Sequence, residues 1–169
     1  MAATESHVDH VKPEGREGLP GVMSRKLNVV MVGAGSFFTG AILKDVALIP
    51  GSLGGEMRLV DVDAERLRLS HQMMQVILEK AGVADLWKLT STTDRLEALP
   101  GADYVVNSIE VSGVECVRYD NDIPLEYGVS QNIGDTIGPG GLMKSLRTVP
   151  VWIEILRDCE RLCPHALVL

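Results

Sequence analysis

Residues 26–36 read KLNVVMVGAGS, a short apolar run that ends in glycines. Such a run is typical of a buried parallel strand that leads into a tight turn. Residues 39–49, TGAILKDVALI, have the pattern of a helix, which Pro50 and Gly51 should end. A strand, a glycine turn and a helix in this order predict the first βα unit of an α/β protein.

The same alternation continues along the chain. Further strands are predicted at 56–63 (EMRLVDVD), 86–92 (LWKLTST), 102–109 (ADYVVNSI) and 164–169 (PHALVL). Helices are predicted at 64–81, 95–99 and 142–162, the last kinked at Pro150, and 110–141 is predicted as an irregular connection. Parallel strands joined by right-handed crossovers follow from this order. We therefore predict an α/β fold, a Rossmann-type doubly wound parallel sheet that is truncated after about five strands.

The last predicted helix has an apolar stripe at three- and four-residue steps, the pattern of a face that packs on a core. The stripe consists of Leu142, Leu146, Val149, Ile153, Leu156 and Cys163.

Composition excludes several classes of protein. The 169 residues carry a formal net charge of −7, which argues against nucleic acid as a partner because phosphate binding needs a basic surface. No apolar run approaches the roughly 18 residues of a membrane span. Three cysteines, an odd number, do not suggest a disulfide framework, so we expect a cytoplasmic protein. Cys159 and Cys163 are four residues apart and could form a metal pair, but small core residues are the simpler interpretation.

Residues 1–24 differ from the rest of the chain. They are polar, contain Pro13 and Pro20, and lack both an apolar period and the apolar region of a secretory signal. We expect a disordered tail over 1–24, with Met1 or Met23 as the natural start, and a nucleotide-binding domain over 25–169.

The glycine turn predicts a site for a dinucleotide. Gly33 permits the tight turn, and Gly35 lets the backbone approach a pyrophosphate at the start of the next helix. The turn also includes Ala34, Ser36 and Phe37, and Phe38 stands where a third glycine is usual, with Gly40 two residues later. Helix and strand should therefore pack less tightly here than in the standard motif.

Acidic residues end the second predicted strand. Asp61 lies 28 residues after Gly33, where a carboxylate can accept both ribose hydroxyls of NAD and repel the 2′-phosphate of NADP. Asp63 could share that task or cap the following helix. Asn107 ends the fourth strand at the same sheet edge, where it could reach the cofactor or anchor a loop. The alternative is that the glycines only make a turn and Asp61 only caps.

A series of motifs resembles glycoside hydrolase family 4 in the same order. The series is GAGS with Phe37, Phe38 and Thr39, then VDVD, ADYVVNSI, DIPLEYGVSQNIGDTIGPGG, LRTVPVWIEIL and LCPHALVL, from about residue 27 to 169. The resemblance implies hydrolysis of O-glycosyl compounds by a redox route in which bound NAD⁺ oxidises the sugar hydroxyl at C3. The ketone acidifies the C2 hydrogen, a base removes it, the glycosidic oxygen leaves C1, water adds, and NADH returns the hydride. A divalent metal, typically Mn²⁺, polarises the C2 and C3 oxygens.

The resemblance also implies where the sites lie. Gly33, Ala34, Gly35, Ser36, Phe37, Phe38, Asp61, Asp63 and Asn107 would bind NAD, and Gln131, Asn132, Asp135 and Gly140 would lie near the sugar. The family's metal ligands and catalytic base are expected beyond residue 169, so no catalytic or metal residue is assigned here. We expect the catalytic and metal-binding part to be absent and the 169 residues alone to be inactive. The parent enzyme is expected to be a homo-oligomer that acts on a small glycoside.

The substrate subtype is argued from two differences. Members that act on 6-phospho-sugars carry Arg seven residues before the proline that matches Pro124, where this chain has Val117 with Arg118 next to it. Its SQNIGDTIGPGG is also longer than their G-Q-E-T-x-G-P-G-G. Both differences favour an unphosphorylated α-glycoside. The alternatives are a lactate/malate-type 2-hydroxy-acid dehydrogenase, for which Arg118 is the candidate carboxylate clamp, and a catalytically inactive NAD-binding fragment.

Overall fold

The computed structural model describes residues 25–132 and 137–169. Within these ranges the strands are β1 (Leu27–Val32), β2 (Gly55–Val60), β3 (Trp87–Thr92), β4 (Tyr104–Asn107) and β5 (Leu167–Val168). The α-helices are α1 (Thr39–Ala47), α2 (Ala64–Lys80), α3 (Arg95–Ala98), α4 (Gly113–Glu126) and α5 (Pro139–Leu162), and a 3-10 turn spans Ala84–Leu86. The predicted tail over residues 1–24 lies outside the described residues.

The five strands form one parallel sheet in the order β3-β2-β1-β4-β5. The order reverses between β1 and β4, which is the point where ligands of such sheets bind, outside the carboxyl ends of the strands. The predicted Rossmann-type α/β fold is confirmed. β1 lies in the middle of the sheet, where both of its faces are covered, because its residues are largely apolar. Five of its six side chains are buried, Leu27, Val29, Val30, Met31 and Val32.

The chain divides into two compact units, which are described separately. The first takes in the described residues up to Ser108 together with Leu162–Leu169, and it contains the whole sheet. Its core is aliphatic and rich in methionine, as the low aromatic content requires: Met31, Leu43, Met57, Leu59 and Met74 are completely buried. The second unit is Ile109–Arg161 and contains α4 and most of α5.

The prediction of an irregular connection over 110–141 is wrong for Gly113–Glu126, which form α4. The helix contains a proline, Pro124, two residues before its end. A proline in a helix removes the hydrogen bond to the carbonyl four residues earlier. Here the carbonyl of Asp120 accepts a hydrogen bond from the Gln131 side chain instead, at 2.7 Å, so the loss is compensated.

The apolar stripe predicted on the last helix is not the buried face of α5. Four of its six members, Leu142, Leu146, Val149 and Ile153, are exposed, Leu156 is half-buried, and Cys163, one residue beyond the helix, is buried. The buried residues of the helix itself are Gly140, Gly141, Ile155 and Cys159. The helix also begins three residues earlier than predicted, at Pro139, a residue that suits a first turn because its missing N–H would be unpaired there. In the described part of the chain, none of the helices is both long and apolar enough to cross a bilayer.

Candidate cofactor-binding site

The glycine turn directly follows β1. Gly33 has φ +82°, a left-handed conformation that favours glycine, and this reverses the chain at the strand end. The amides of Gly33 and Ala34 both donate to the carbonyl of Val60 at 2.9 Å, which ties the turn to the end of β2. Ser36 closes the turn by donating its N–H to the Gly33 carbonyl at 3.0 Å. The turn is therefore held in place by β2 before any ligand binds.

Asp61 lies against this turn. Its Oδ2 accepts the N–H of Gly35 at 2.7 Å, and its Oδ1 accepts the N–H of Asp63 at 2.9 Å. The backbone and the carboxylate are in close contact, since a Cβ added to Gly35 would lie 2.8 Å from Asp61 Oδ2. The predicted proximity of the acid and the turn is thus present in the structure.

Asp63 adopts the role of helix cap. Its Oδ1 accepts the amides of Glu65 and Arg66, both at 3.0 Å, at the start of α2. This geometry satisfies two of the N–H groups that a helix start leaves unpaired. Asp61 is therefore the acid of this loop whose carboxylate faces the glycine turn.

Phe37 and Phe38 lie on the surface beside the turn. Phe37 is 94% exposed and Phe38 is 63% exposed, and their rings meet edge to face with centroids 6.2 Å apart. Because Phe38 points outward, the residue in the place of the third glycine does not need to be small. Gly40 serves close packing instead, since a Cβ there would meet Met73 of α2 at 2.8 Å.

Asn107 ends β4 beside the turn. It pairs in register with Val32, and the next residue, Ser108, donates its N–H to the Val32 carbonyl at 2.8 Å. The carboxyl ends of β1, β2 and β4 therefore bring Gly33, Asp61 and Asn107 to one edge of the sheet.

A hydrogen bond from Thr39 that holds the glycine turn was not predicted from the sequence. Thr39 is completely buried, and its hydroxyl donates to the carbonyl of Ala34 at 2.8 Å. Hydroxyl residues at a helix start commonly bond to nearby backbone, and that signal could have indicated this contact. Thr39 thus fixes the loop from the helix side as Val60 fixes it from the strand side.

In the second unit, Gln131 links α4 to the start of α5. Its Nε2 donates to the Asp120 carbonyl at 2.7 Å, and its Oε1 accepts the N–H of Gly140 at 3.0 Å. Gly138 and Gly140 pass so close that a Cβ on either would collide with the Gln131 side chain. The glycines of this segment are therefore required by the packing around Gln131. Asn132 is exposed, and Asp135 lies outside the described residues.

A buried ion pair supports the same segment and was not predicted. Asp120 is 5% exposed, and both of its carboxylate oxygens accept from the guanidinium of Arg147, at 3.0 and 2.5 Å. The hydrogen bonds that Arg147 donates to Asp120 outweigh the effect of burial and raise the pKa of Arg147, and the charge of Asp120 acts in the same direction. The pair joins the middle of α4 to α5.

Cys159 and Cys163 are reduced and both are buried, which fits small core residues. In residues 25–132 and 137–169, no group of three His, Cys, Asp or Glu side chains is arranged to hold a metal ion.

Comparison with known proteins identifies the family. Residues 28–169 match the sequence profile of the family 4 glycosyl hydrolases. An alpha-galactosidase from Bacillus subtilis is 38% identical over 82% of this chain and 32% of its own length, and a 6-phospho-beta-glucosidase from Escherichia coli is 39% identical over 87% and 32%. A crystal structure of a 6-phospho-alpha-glucosidase from gut microorganisms, in complex with NAD and Mn²⁺, superposes with a TM-score of 0.76 at 27% identity, covering 85% of this chain and 32% of that one. The chain spans about a third of the length of these relatives. It belongs to family 4 of the glycosyl hydrolases.

Proposed function

We propose that this chain is the NAD-binding part of an enzyme that hydrolyses α-glycosides by the redox route of its family. The observation that carries the proposal is the contact between Gly35 and Asp61 at the switch point of the sheet. NAD⁺, when bound, would accept a hydride from the sugar. A solved relative is described as a complex with NAD, which supports the same cofactor here.

The residues of the turn fit the nucleotide. Gly33, Ala34, Gly35 and Ser36, whose own amides are bonded to Val60, Asp61 and Gly33, would let the backbone approach the pyrophosphate at the start of α1, where the helix dipole favours anions. Asp61 would accept the hydroxyls of the adenosine ribose, with Asp63 holding the loop through its cap. The exposed rings of Phe37 and Phe38 would cover apolar surface of the cofactor.

The charge of Asp61 would set the choice of cofactor. It would lie beside the adenosine ribose and would repel the extra phosphate of NADP, whereas the neutral hydroxyls of NAD could donate to it. Asn107, at the end of β4, would contact the second ribose or the nicotinamide region, and Gln131, Asn132, Asp135 and Gly140 would lie near the sugar.

An unphosphorylated substrate is favoured by the charges of α4. Arg118, the neighbour of Val117, is paired with Asp122 at 3.1 Å and points into solvent. The exposed residues around it on α4 include the acids Glu115, Asp122 and Glu126. A sugar phosphate needs an available cation, and this surface is acidic. The relatives include an alpha-galactosidase and a 6-phospho-beta-glucosidase, so their names do not decide between the two substrate classes. The proposal of an unphosphorylated substrate therefore depends on the charges of α4.

The described residues do not fit the metal named with the relative. They contain no group of three candidate ligands, so no residue of this chain is assigned to Mn²⁺ and no step is derived through it.

Cofactor binding is tested by calorimetry with NAD⁺ on the chain and on Asp61→Asn. Losing charge-assisted hydrogen bonds costs about 1.5–3 kcal/mol, which weakens affinity about 10- to 150-fold. Asp94→Asn is the matched control, because Asp94 also follows a strand and its carboxylate also accepts a backbone N–H, that of Leu96. Equal affinity of the wild type and Asp61→Asn, with both proteins folded, would overturn the proposed site.

Catalysis is tested in a hybrid. Residues 25–169 replace the matched third of the Bacillus subtilis alpha-galactosidase, and p-nitrophenyl α-galactoside is supplied with NAD⁺ and Mn²⁺. We expect hydrolysis that requires NAD⁺ and is slower with the 6-phosphorylated substrate. Hydrolysis without NAD⁺ would contradict the redox route, and a preference for the phosphorylated substrate would contradict the assigned substrate class. Oxidation of lactate or malate by the chain would instead support the dehydrogenase alternative.

A further inference from the structure

The peptide unit between Ala34 and Gly35 is held at both of its ends. Its carbonyl accepts the hydroxyl of Thr39 at 2.8 Å, and its N–H donates to Asp61 Oδ2 at 2.7 Å. Because the described peptide bonds are all trans, this carbonyl and this N–H point in opposite directions from one rigid plane. A rotation of the plane that breaks one of these hydrogen bonds therefore also misdirects the other.

We propose that Thr39 is a positioning residue that sets the preference for NAD over NADP, acting through this peptide unit on the carboxylate of Asp61. The inference rests on the proposed function, in which Asp61 contacts the adenosine ribose. Thr39 and Ala34 are both completely buried, so water cannot take the place of the hydroxyl if it is removed. The Ala34 carbonyl would then be unpaired in the interior, and the peptide would gain by turning away.

The carboxylate of Asp61 has the hydrogen-bonding capacity for this role. An ionised carboxylate offers about four acceptor positions. The N–H groups of Gly35 and Asp63 take one position on each oxygen, which leaves about two, the number that two ribose hydroxyls require. Since the N–H of Gly35 holds Oδ2, the ribose would find the carboxylate in place only while the peptide between Ala34 and Gly35 keeps its orientation.

A purely structural role is the competing interpretation of Thr39, because hydroxyl residues near a helix start often bond to backbone without affecting a ligand. The two roles differ in their effect on the ratio of the NADP⁺ and NAD⁺ dissociation constants. The pyrophosphate is common to both cofactors, so a general loosening of the turn weakens both equally and leaves that ratio unchanged. A displaced Asp61 instead weakens NAD⁺ binding and relieves the repulsion of the 2′-phosphate, so the ratio falls.

The test measures both dissociation constants by calorimetry for the chain and for Thr39→Val, which removes the hydroxyl and nearly keeps the shape of the side chain. NAD⁺ binding should weaken about 5- to 10-fold more than NADP⁺ binding, since the Asp61 carboxylate is no longer held. Thr39→Ser keeps the hydroxyl and should retain the wild-type ratio. Ser52→Ala is the matched control and should also retain it, because Ser52 is buried and its hydroxyl bonds backbone, the N–H of Gly54, before β2 rather than after it.

Without any cofactor, the Gly35 amide should exchange faster with deuterium in Thr39→Val than in Thr39→Ser, and equal exchange would overturn the inference. If Thr39→Val does not fold, Thr39→Ala and Thr39→Ser give the same comparison, because they differ only in the hydroxyl. An unchanged ratio in Thr39→Val, or an equal fall in Thr39→Ser, would also overturn the role of Thr39. The proposed function would still stand if Asp61→Asn lowers the ratio. If Asp61→Asn leaves the ratio unchanged, the proposed function and this inference are both wrong.

Discussion

Two glycines near the turn have equally short distances to their neighbours but different tolerance to a side chain. A Cβ on Gly35 would lie 2.8 Å from both Arg66 Cβ and Asp61 Oδ2, and a Cβ on Gly40 would lie 2.8 Å from Met73 Cε. The Arg66 Cβ is attached to the backbone of α2 and cannot turn away, whereas the Met73 methyl is the end of a flexible side chain. The kind of atom contacted therefore decides the cost.

We predict that Gly35→Ala lowers stability by about 1–3 kcal/mol, the usual effect of overpacking. It should also weaken NAD⁺ binding, because it displaces the Asp61 carboxylate. Gly40→Ala should change stability by less than about 1 kcal/mol, since alanine is the better helix former by up to about that amount. Urea unfolding and calorimetry of both variants check this. Equal effects of the two substitutions would contradict the assignment of a close approach at Gly35.

Glu56 gives the sheet a dependence on pH. It lies on β2 opposite Lys88 of β3, bonded to Lys88 at 2.8 Å and to the Arg58 guanidinium at 2.8 and 3.0 Å. Burial alone would raise the pKa of Glu56, but the hydrogen bonds and charges of Lys88 and Arg58 outweigh burial and hold the pKa below its ordinary value of 4.5. The folded state therefore favours the ionised carboxylate.

The stabilising effect of Glu56 should be complete above about pH 4.5 and should be lost as the pH falls through the lower pKa of the folded state. Glu56→Gln should thus have a lower melting temperature than the wild type at pH 7. At pH 3 the difference between the two melting temperatures should be smaller. Glu79→Gln, at an exposed position on α2, should follow the wild-type profile. A constant difference between Glu56→Gln and wild type from pH 7 to pH 3 would argue against this assignment.

At the scale of elements, α4 and α5 depend on a hydrogen bond that proline makes available. Pro124 lacks an N–H, so the Asp120 carbonyl is left for Gln131, whose other amide atom bonds Gly140 at the start of α5. One side chain thus connects the middle of α4 to the first turn of α5.

Replacing Gln131 with Met should release that connection. It removes two hydrogen bonds of about 1 kcal/mol each and leaves a backbone acceptor and a donor unpaired. We expect the melting temperature to fall by about 4–8 °C and the Gly140 amide to exchange faster with deuterium. Ser130→Ala, at an exposed position next to it, serves as the control. Unchanged exchange at Gly140 would show that Gln131 does not fix the start of α5.

The sequence predicted best the elements whose stability is local or whose pattern is continuous. β1, the glycine turn and α2 were all expected, and the cap by Asp63 was one of its two predicted roles, because an apolar run, a glycine pair and an acid before a helix are visible in neighbouring residues. The helix α4 was missed because its partners are distant: Asp120 is satisfied by Arg147 and Gln131, 27 and 11 residues away. The buried face of α5 was misjudged for a related reason, since periodicity shows that a stripe is apolar without showing which surface covers it.

The candidate site was predictable to the extent that topology determines it. Parallel strands bring their carboxyl ends to one edge, so Gly33, Asp61 and Asn107 were expected near one another. The hydrogen bond from the Thr39 hydroxyl to the Ala34 carbonyl and the outward direction of Phe38 depend on side-chain packing, so they could be seen only in the structure.

At the scale of the whole molecule, the sheet, the turn and Asp61 belong to one unit, so a cofactor bound there should stabilise the protein through that unit. That the parent enzyme is a homo-oligomer stays a prediction, which light scattering would test. A ligand that binds only the folded state at 100 times its dissociation constant adds about 2.7 kcal/mol of stability. For a chain of this length, that corresponds to a rise in melting temperature of about 5–10 °C.

NAD⁺ at such saturation should therefore raise the melting temperature by that amount, and NADP⁺ at the same concentration should raise it less, because its 2′-phosphate meets the Asp61 carboxylate. Hydrogen exchange should slow at Gly33–Ser36 and around Asp61, where the phosphates and the ribose would contact the backbone. Asp61→Asn should reduce the shift with NAD⁺ and narrow the difference between the two cofactors, since the repelling charge is gone. If NADP⁺ protected the wild type as well as NAD⁺ does, the cofactor would not rest against Asp61, and another edge of the sheet would have to hold it.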